Sequence, residues 1–390
     1  MRIGIDARFY GSIGKGLGRY TEKLIEHLEN LDTENEYVVF LLRENYDKYV
    51  PRNRRFRKAL AQYAWYGFSE QIFFPLRLLF FRLDLVHFPH FNVPFLYPKK
   101  FVVTIHDLIL LHYPTFQNTT HSRLFYGVKF FFYRFIVACA IWRAEHIITV
   151  SHFTEADILS EYPSARGKIS VTYEAADPFC QFSLPGKERQ LFERFGLLRD
   201  ALETTAHDIL KPYLLYVGNA YPHKNLEVFL KIAPQFPSYA FMLVGKEDYF
   251  YARLRNEVAA QGIRNIIFTG FVDDSALSSL YRFATCYVFP SLYEGFGLPP
   301  LEAMARGVPV LSSACGSLPE ILGEAASYFD AHEVESLKKA LTGILGSETT
   351  RKEFSRRGYA RVNSYSFERM ADETLKLYTR AVSKAKSNEA

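Results

Sequence analysis

Short runs of β-branched and aromatic residues alternate along this chain with longer stretches whose apolar positions recur at helical spacing. In the first half the runs are Arg2–Asp6, Tyr37–Leu42, Asp84–Phe88, Phe101–His106, His146–Val150 and Lys168–Tyr173. In the second half they are Tyr213–Gly218, Ala240–Gly245, Ile266–Gly270, Cys286–Pro290, Pro309–Ser312 and Ser327–Asp330. Strand runs alternating with helical stretches predict parallel sheets covered by helices, an α/β architecture of two doubly wound, Rossmann-like domains. Between the two sets Pro178, Pro185, Gly186 and Pro212 interrupt any strand pattern, with a short helix expected over Gln190–Leu198. The expected organisation is therefore an N-terminal domain over 1–176, a linker over 177–212 and a C-terminal domain over 213–362. A last helix over 363–390, apolar at Phe367, Met370, Ala371, Thr374, Leu375 and Tyr378 on roughly one face, is expected to brace the junction. Open α/β sheets bind ligands beyond the carboxyl ends of their strands, so two such domains imply a ligand crevice there.

Composition narrows the class. At 390 residues, 48% hydrophobic and 23% charged, the chain is globular and long enough for more than one core. A net charge of +5, if evenly spread, is too mild to imply nucleic acid. Cys139, Cys180, Cys286 and Cys315 are far apart and form no Cys-x-x-Cys pair, so they read as core residues of a reducing, cytoplasmic compartment. Asp6 and Arg8 stand where a signal peptide needs its apolar run, and Lys129 and Arg134 break the most lipid-like stretch, Phe125–Trp142.

Two segments carry chemistry. The first strand runs into a glycine-rich loop, Gly11 to Gly18, before a helical stretch. Gly14, Gly16 and Gly18 are not spaced as a dinucleotide fingerprint, and Lys15 is followed by Gly16 where a P-loop needs Ser or Thr. Taken alone the loop reads equally as a flexible turn. The second segment, Phe289 to Leu311, ends a strand, passes through a Gly-bracketed loop and enters a helix through Pro299 and Pro300. Glu294 and Glu302 lie there with seven residues between them. Amides that favour an anion beside carboxylates that accept from hydroxyls suit a nucleotide sugar.

The stretch Phe289–Leu311 resembles the Glu-x7-Glu signature of the retaining glycosyltransferases of family 4, a GT-B family that includes many bacterial mannosyltransferases of surface-polysaccharide and lipopolysaccharide biosynthesis. Gly18-Arg19-Tyr20, Val103 to Asp107, Ile148 to Ser151 and Tyr216 to Asn225 agree with the family in the same order. The resemblance implies that Glu302 accepts from ribose hydroxyls and Glu294 from hydroxyls of the donor sugar. It implies that Gly295, Phe296, Gly297 and Leu298 line the sugar and diphosphate, with Gly16 and Gly18 of the first domain. Lys224 matches the lysine that meets the leaving diphosphate, and His106 the histidine near the donor sugar. Gly218, Asn219 and His223 fall in the same constellation, although Asn219 and His223 stand where many relatives carry basic residues, and a protonated His223 is one way to restore that charge. Base recognition would fall on the turn at Gly270, Phe271 and Val272. With no Asp-x-Asp in the chain and only the adjacent Asp273 and Asp274 near it, neither a metal nor another cofactor is expected.

The expected activity is transfer of a hexose, with GDP-mannose the favoured donor, to an acceptor hydroxyl on a glycan or lipid-linked glycan. A UDP-sugar donor with a soluble acceptor is the alternative. A dinucleotide-dependent oxidoreductase is disfavoured because only Glu44 approximates the acidic residue that class needs after its second strand. A non-catalytic subunit is disfavoured because His106, Lys224, Glu294 and Glu302 are all present. The charge is also uneven: residues 52–82 hold seven basic side chains against Glu70 alone, and residues 122–143 hold four with no acid. Aromatics interleave both stretches, which suits an anionic membrane surface, a peripheral partner of the first domain. The competing reading returns those rings to the core.

Overall fold

The computed structural model describes residues 1–11, 15–114, 123–176, 187–198 and 211–386. Gly14, Cys180 and most of the expected linker lie outside the described residues, as do the side chains of Arg123, Phe125 and Tyr126. Cα proximity divides the chain into two units, Met1–Leu111 with Thr119–Glu174 and Tyr365–Ala390, and His112–Asn118 with Ala175–Ser364.

The first stretch of chain runs β1 (Arg2–Asp6), α1 (Lys15–Leu31), β2 (Glu36–Leu41), α2 (Arg43–Tyr46), β3 (Phe56–Leu60), α3 (Phe68–Phe80), β4 (Leu85–Phe88), β5 (Phe101–Ile105), α4 (Ile109–His112), α5 (Arg123–Arg143), β6 (His146–Thr149), α6 (His152–Glu161) and β7 (Ile169–Val171). The second runs α7 (Lys187–Arg194), β8 (Tyr213–Val217), α8 (Val228–Ile232), β9 (Ala240–Val244), α9 (Tyr249–Ala260), β10 (Ile266–Gly270), α10 (Asp274–Arg282), β11 (Cys286–Phe289), α11 (Leu298–Met304), β12 (Val310–Ser313), α12 (Leu318–Leu322), β13 (Ala326–Phe329), α13 (Val334–Leu345) and α14 (Glu348–Val362). The chain then returns to the first unit through α15 (Phe367–Lys386).

Both sheets are parallel throughout, in the orders β3-β2-β1-β4-β5-β6-β7 and β10-β9-β8-β11-β12-β13. Strand order reverses between β1 and β4 in the first and between β8 and β11 in the second, giving each unit one topological switch point. Helices cover both faces, which is why β5 is buried along its whole length and β2 from Tyr37 onward, with apolar residues at all of these positions but Thr104. On one face of the first sheet, Phe74 and Leu78 of α3 and Val137 and Ile141 of α5 share a core with Val38, Phe40, Val86 and Val103. On α15, Met370, Ala371, Thr374 and Tyr378 are buried as the periodicity predicts, with Leu377 rather than Leu375 joining them. Tyr378 bonds through its hydroxyl to Nδ1 of the buried His87 at 2.6 Å, and Thr104 Oγ1 lies 2.8 Å from Nε2.

Strand β3 is not expected from the sequence. It lies at the edge of the sheet, where charged side chains are tolerated and blunt further pairing. Part of the positive charge of residues 52–58 is paired here: Arg52 meets Glu26 at 3.4 Å and Arg57 meets Glu36 at 3.3 Å. Lys58 donates to the carbonyls of Tyr46 and Tyr49. The short helix within the expected linker is α7, which starts three residues and ends four residues earlier than expected.

Candidate functional site

In the second unit the candidate residues gather at the switch point. Lys224 follows β8 in a single 3-10 turn, Pro222–Lys224, and Glu294 lies in the loop after the neighbouring β11. The loops are tied together: Leu292 N–H donates to the His223 carbonyl at 2.7 Å, and Ser317 N–H donates to the Glu294 carbonyl at 3.1 Å. Within this frame Lys224 Nζ meets Glu294 Oε1 at 2.5 Å, with both side chains largely withdrawn from water. An ammonium and a carboxylate are thereby fixed at one point, ready for an anionic group and a hydroxyl respectively.

The next residues shape the floor. Gly295, Phe296 and Gly297 are buried, and Gly297 turns the chain into α11 at a φ of 92°, a conformation glycine adopts without strain. A Cβ there would also lie 2.6 Å from Leu318 Cδ1's twin methyl, Cδ2. Glu302 lies one turn into α11, half-buried, and accepts from the Tyr281 hydroxyl at 3.4 Å. Asn219 turns back on its own loop, its Oδ1 accepting from Tyr221 N–H at 3.2 Å. His223 is buried, and that burial together with Lys224 pushes its pKa down to about 3. The ring is therefore neutral, and the extra cation that its protonation would supply is not available here. Phe271 follows Gly270 at the edge of the sheet and is exposed, with Val272 half-buried beside it. Asp273, half of the acidic pair, is a helix cap: its side chain accepts from Ala276 N–H at 2.8 Å at the start of α10.

The first unit has its own constellation. His106, just beyond β5, places Nδ1 2.8 Å from Glu174 Oε1 and Nε2 3.0 Å from the Pro89 carbonyl. Burial opposes protonation of this ring, but the Glu174 carboxylate, aided by the Pro89 carbonyl and Asp107, outweighs it and raises the pKa above the usual histidine value. With acceptors at both nitrogens, the ring is held as a donor and is a poor general base. Tyr20 of α1 packs edge-on against it with centroids 4.7 Å apart. Gly18 is spent on packing: a Cβ there would lie 2.0 Å from the Gly11 carbonyl oxygen, so the loop after β1 can fold over the helix start only without a side chain. Gly16 borders open space.

Sequence reasoning passes over several participants. Glu174, the partner of His106, had a faint signal as the acid two residues after Thr172 at a strand end. Asp6, Arg8 and Glu70 form a buried network beside the β1 loop, with Arg8 Nη2 2.7 Å from both carboxylates and Asn92 donating to Glu70 at 2.8 Å. No local pattern joins residues so far apart in the chain.

These two doubly wound units, one carrying the Lys224–Glu294 pair at its switch point, define a GT-B-type architecture. Residues 203–361 match the family described as Glycosyl transferases group 1, and residues 14–178 match Glycosyltransferase Family 4. The chain belongs to these glycosyltransferases. It is 25% identical over 346 residues to the O-antigen chain mannosyltransferase RfbU of Salmonella typhimurium strain LT2, covering 86% of this chain and 88% of that one. In fold it matches sucrose-phosphate synthase from Thermosynechococcus elongatus with a TM-score of 0.75 at 19% identity, over 98% of this chain and 100% of that one. It also matches the Anabaena protein HepE in complex with UDP and glucose, with a TM-score of 0.69 at 14% identity, over 97% and 99% of the two chains.

Proposed function

We propose that this glycosyltransferase moves mannose from GDP-mannose, without a metal and with retention of configuration, to a hydroxyl of a lipid-linked or surface glycan. The second unit holds the donor and the first the acceptor, on the cytoplasmic side of a membrane. The observation that carries the reading is the Lys224–Glu294 pair at the β8/β11 switch point. Support for mannose comes from the named activity of RfbU, and support for a nucleotide-linked sugar comes from the UDP and glucose bound by HepE.

Each residue then has a definable task. Glu302 accepts from the ribose hydroxyls, and the amides of Gly297 and Leu298 meet the diphosphate. Glu294 accepts from sugar hydroxyls while Lys224 transfers its ion pairing to the diphosphate as negative charge develops there. The bond from the sugar's anomeric carbon to the phosphate oxygen breaks as the acceptor oxygen bonds to that carbon from the same face. The departing phosphate oxygen takes the acceptor's proton. His106, whose Nδ1 is fixed by Glu174, donates to the sugar from Nε2 once that nitrogen leaves the Pro89 carbonyl.

Calorimetry with GDP and UDP tests the division of labour. Glu302→Ala is expected to weaken nucleotide binding by roughly 0.5–1.5 kcal/mol per lost hydrogen bond, whereas Glu294→Ala leaves it nearly intact and removes turnover. Equal losses of nucleotide affinity would sink the assignment, and tighter binding of UDP than GDP would move the donor to the UDP-sugar class. Turnover is expected to survive excess EDTA; loss of activity restored by manganese would refute metal independence.

A further inference from the structure

Helices α3 and α5 are apolar on both of their faces. Their inner faces fill one core against the first sheet, which places both helices on the same side of it. Their outer faces should then be polar, as on an ordinary surface helix. They are not. On α3, Phe68 (86% exposed), Ile72, Phe73, Leu76 and Phe80 (75%) point outward. On α5, Val128, Phe131 (66%), Phe132, Phe135 and Trp142 (69%) do so, at the i, i+3, i+4, i+7 and i+14 spacing of a single helical stripe.

The two stripes are joined. Phe95, itself exposed beside Leu96, bonds through its N–H to Gln71 of α3 at 2.9 Å, and its ring lies 6.0 Å from Phe135 of α5. Twelve of the nineteen exposed large apolar side chains among the described residues thus belong to this one face of the first unit. Monomeric soluble proteins seldom show so concentrated an apolar surface without a partner for it.

The charge on this face says which partner. Lys129 and Arg134 are exposed on opposite flanks of the α5 stripe, and Arg77 of α3 lies against the rings of Phe80 and Phe81. The only carboxylate on either helix is Glu70, and it is buried against Arg8. The face is therefore apolar at its centre, rich in phenylalanine with one tryptophan, and basic at its flanks. A second copy of the chain would bring these cations against one another. Anionic headgroups would meet them while the rings enter the interface. No helix among the described residues is long and apolar enough to cross a bilayer, so α3 and α5 lie along the surface.

We infer that the outer face of α3 and α5, bridged by Phe95, is a docking surface for an anionic phospholipid bilayer. It deepens the proposed action on a lipid-linked acceptor, yet shares no residue with the proposed donor site, so the two stand or fall separately. The test is flotation of the full chain, with no donor present, on vesicles of phosphatidylcholine alone or with about one third phosphatidylglycerol. Binding is expected on the anionic vesicles and at least about tenfold less on neutral ones, falling with added salt. Lys129→Glu with Arg134→Glu should lower it by at least about tenfold, and Phe131→Ser with Phe132→Ser should abolish it.

Because the chain has only two tryptophans, a Trp65→Phe variant leaves Trp142 as sole reporter, and its emission should shift to the blue on anionic vesicles. Failure of the wild-type chain to float, equal binding to both vesicles, or unshifted Trp142 emission in bound protein would overturn the inference. So would a dimer in solution that Phe131→Ser with Phe132→Ser dissolves. GDP calorimetry on the same preparations reports the donor site independently.

Discussion

A buried ion pair costs more to break than to replace, because removing one partner strands the other charge away from water. Lys224 and Glu294 are such a pair. Lys224→Ala is expected to lower stability by about 3 kcal/mol in urea titrations, beyond its effect on turnover. Combining it with Glu294→Gln should restore most of the stability and none of the turnover; recovery of neither would mean that the pair does not hold the loop. His106 tests the first unit in another way. Its pKa is raised, so its pairing with Glu174 stabilises the fold fully below the unfolded value near 6.5 and is lost as pH rises through the higher folded value. Thermal melts of the native chain should decline across that window, and Glu174→Gln should flatten the decline. At this scale the sequence was informative about Lys224, Glu294, Glu302 and His106, which stand in contiguous motifs. It was silent on Glu174, Arg8 and Glu70, whose significance comes from contacts across dozens of residues.

Elements obey both local rules and the packing around them. Ser151 caps α6 by accepting from Thr154 N–H, and Asp248 caps α9 through the N–H groups of Phe250 and Tyr251. Gly18 acts at the junction of α1 and the loop before it. Gly18→Ala is expected to cost about 1–3 kcal/mol by forcing the Gly11 and Phe9 carbonyls aside, although alanine is the better helix former. Hydrogen exchange should then show the β1–α1 loop loosened; an alanine variant as stable as the parent would show that the loop yields freely. Strand β3 was not legible because Arg55, Arg57 and Lys58 mask a short edge run that only its pairing with β2 reveals. The helices α3 and α5 were half legible: the excess of aromatics was visible, but how the rings divide between core and exterior depends on the sheet beneath them.

At the scale of the molecule, each unit carries a deeply buried histidine that resists protonation. Burial, with His106 nearby, pushes His87 down to about 3, and burial with Lys224 does the same to His223. In the unfolded chain both rings take up a proton near pH 6.5. Acidification from there towards pH 3 therefore favours unfolding, by about 1.4 kcal/mol per pH unit for each ring. Urea midpoints at pH 7 and pH 5 should reveal this slope, and His223→Asn should reduce it in the second unit alone; an unchanged slope would place the acid sensitivity elsewhere. Apart from the edge strand β3, the alternation of strands and helices, and with it the two doubly wound sheets, was legible because buried parallel strands leave largely apolar runs.

The return of α15 to the first unit has a consequence for how the protein comes off the ribosome. The sheet of that unit emerges first, yet His87 must wait for Tyr378, and α1 for the apolar face of Met370 and Ala371, until the intervening 175–364 stretch has been made. At roughly 5–20 residues per second that wait lasts on the order of ten to forty seconds. The second unit, nearly continuous in the chain, can complete itself during the delay, while the nascent first unit stands with one flank uncovered and the aromatic surface of α3 and α5 already displayed. That surface lies over the opposite face of the sheet from His87 and Thr104, so a bilayer engaging it early leaves the uncovered flank bare until α15 arrives, which makes the last helix the timing step of biogenesis.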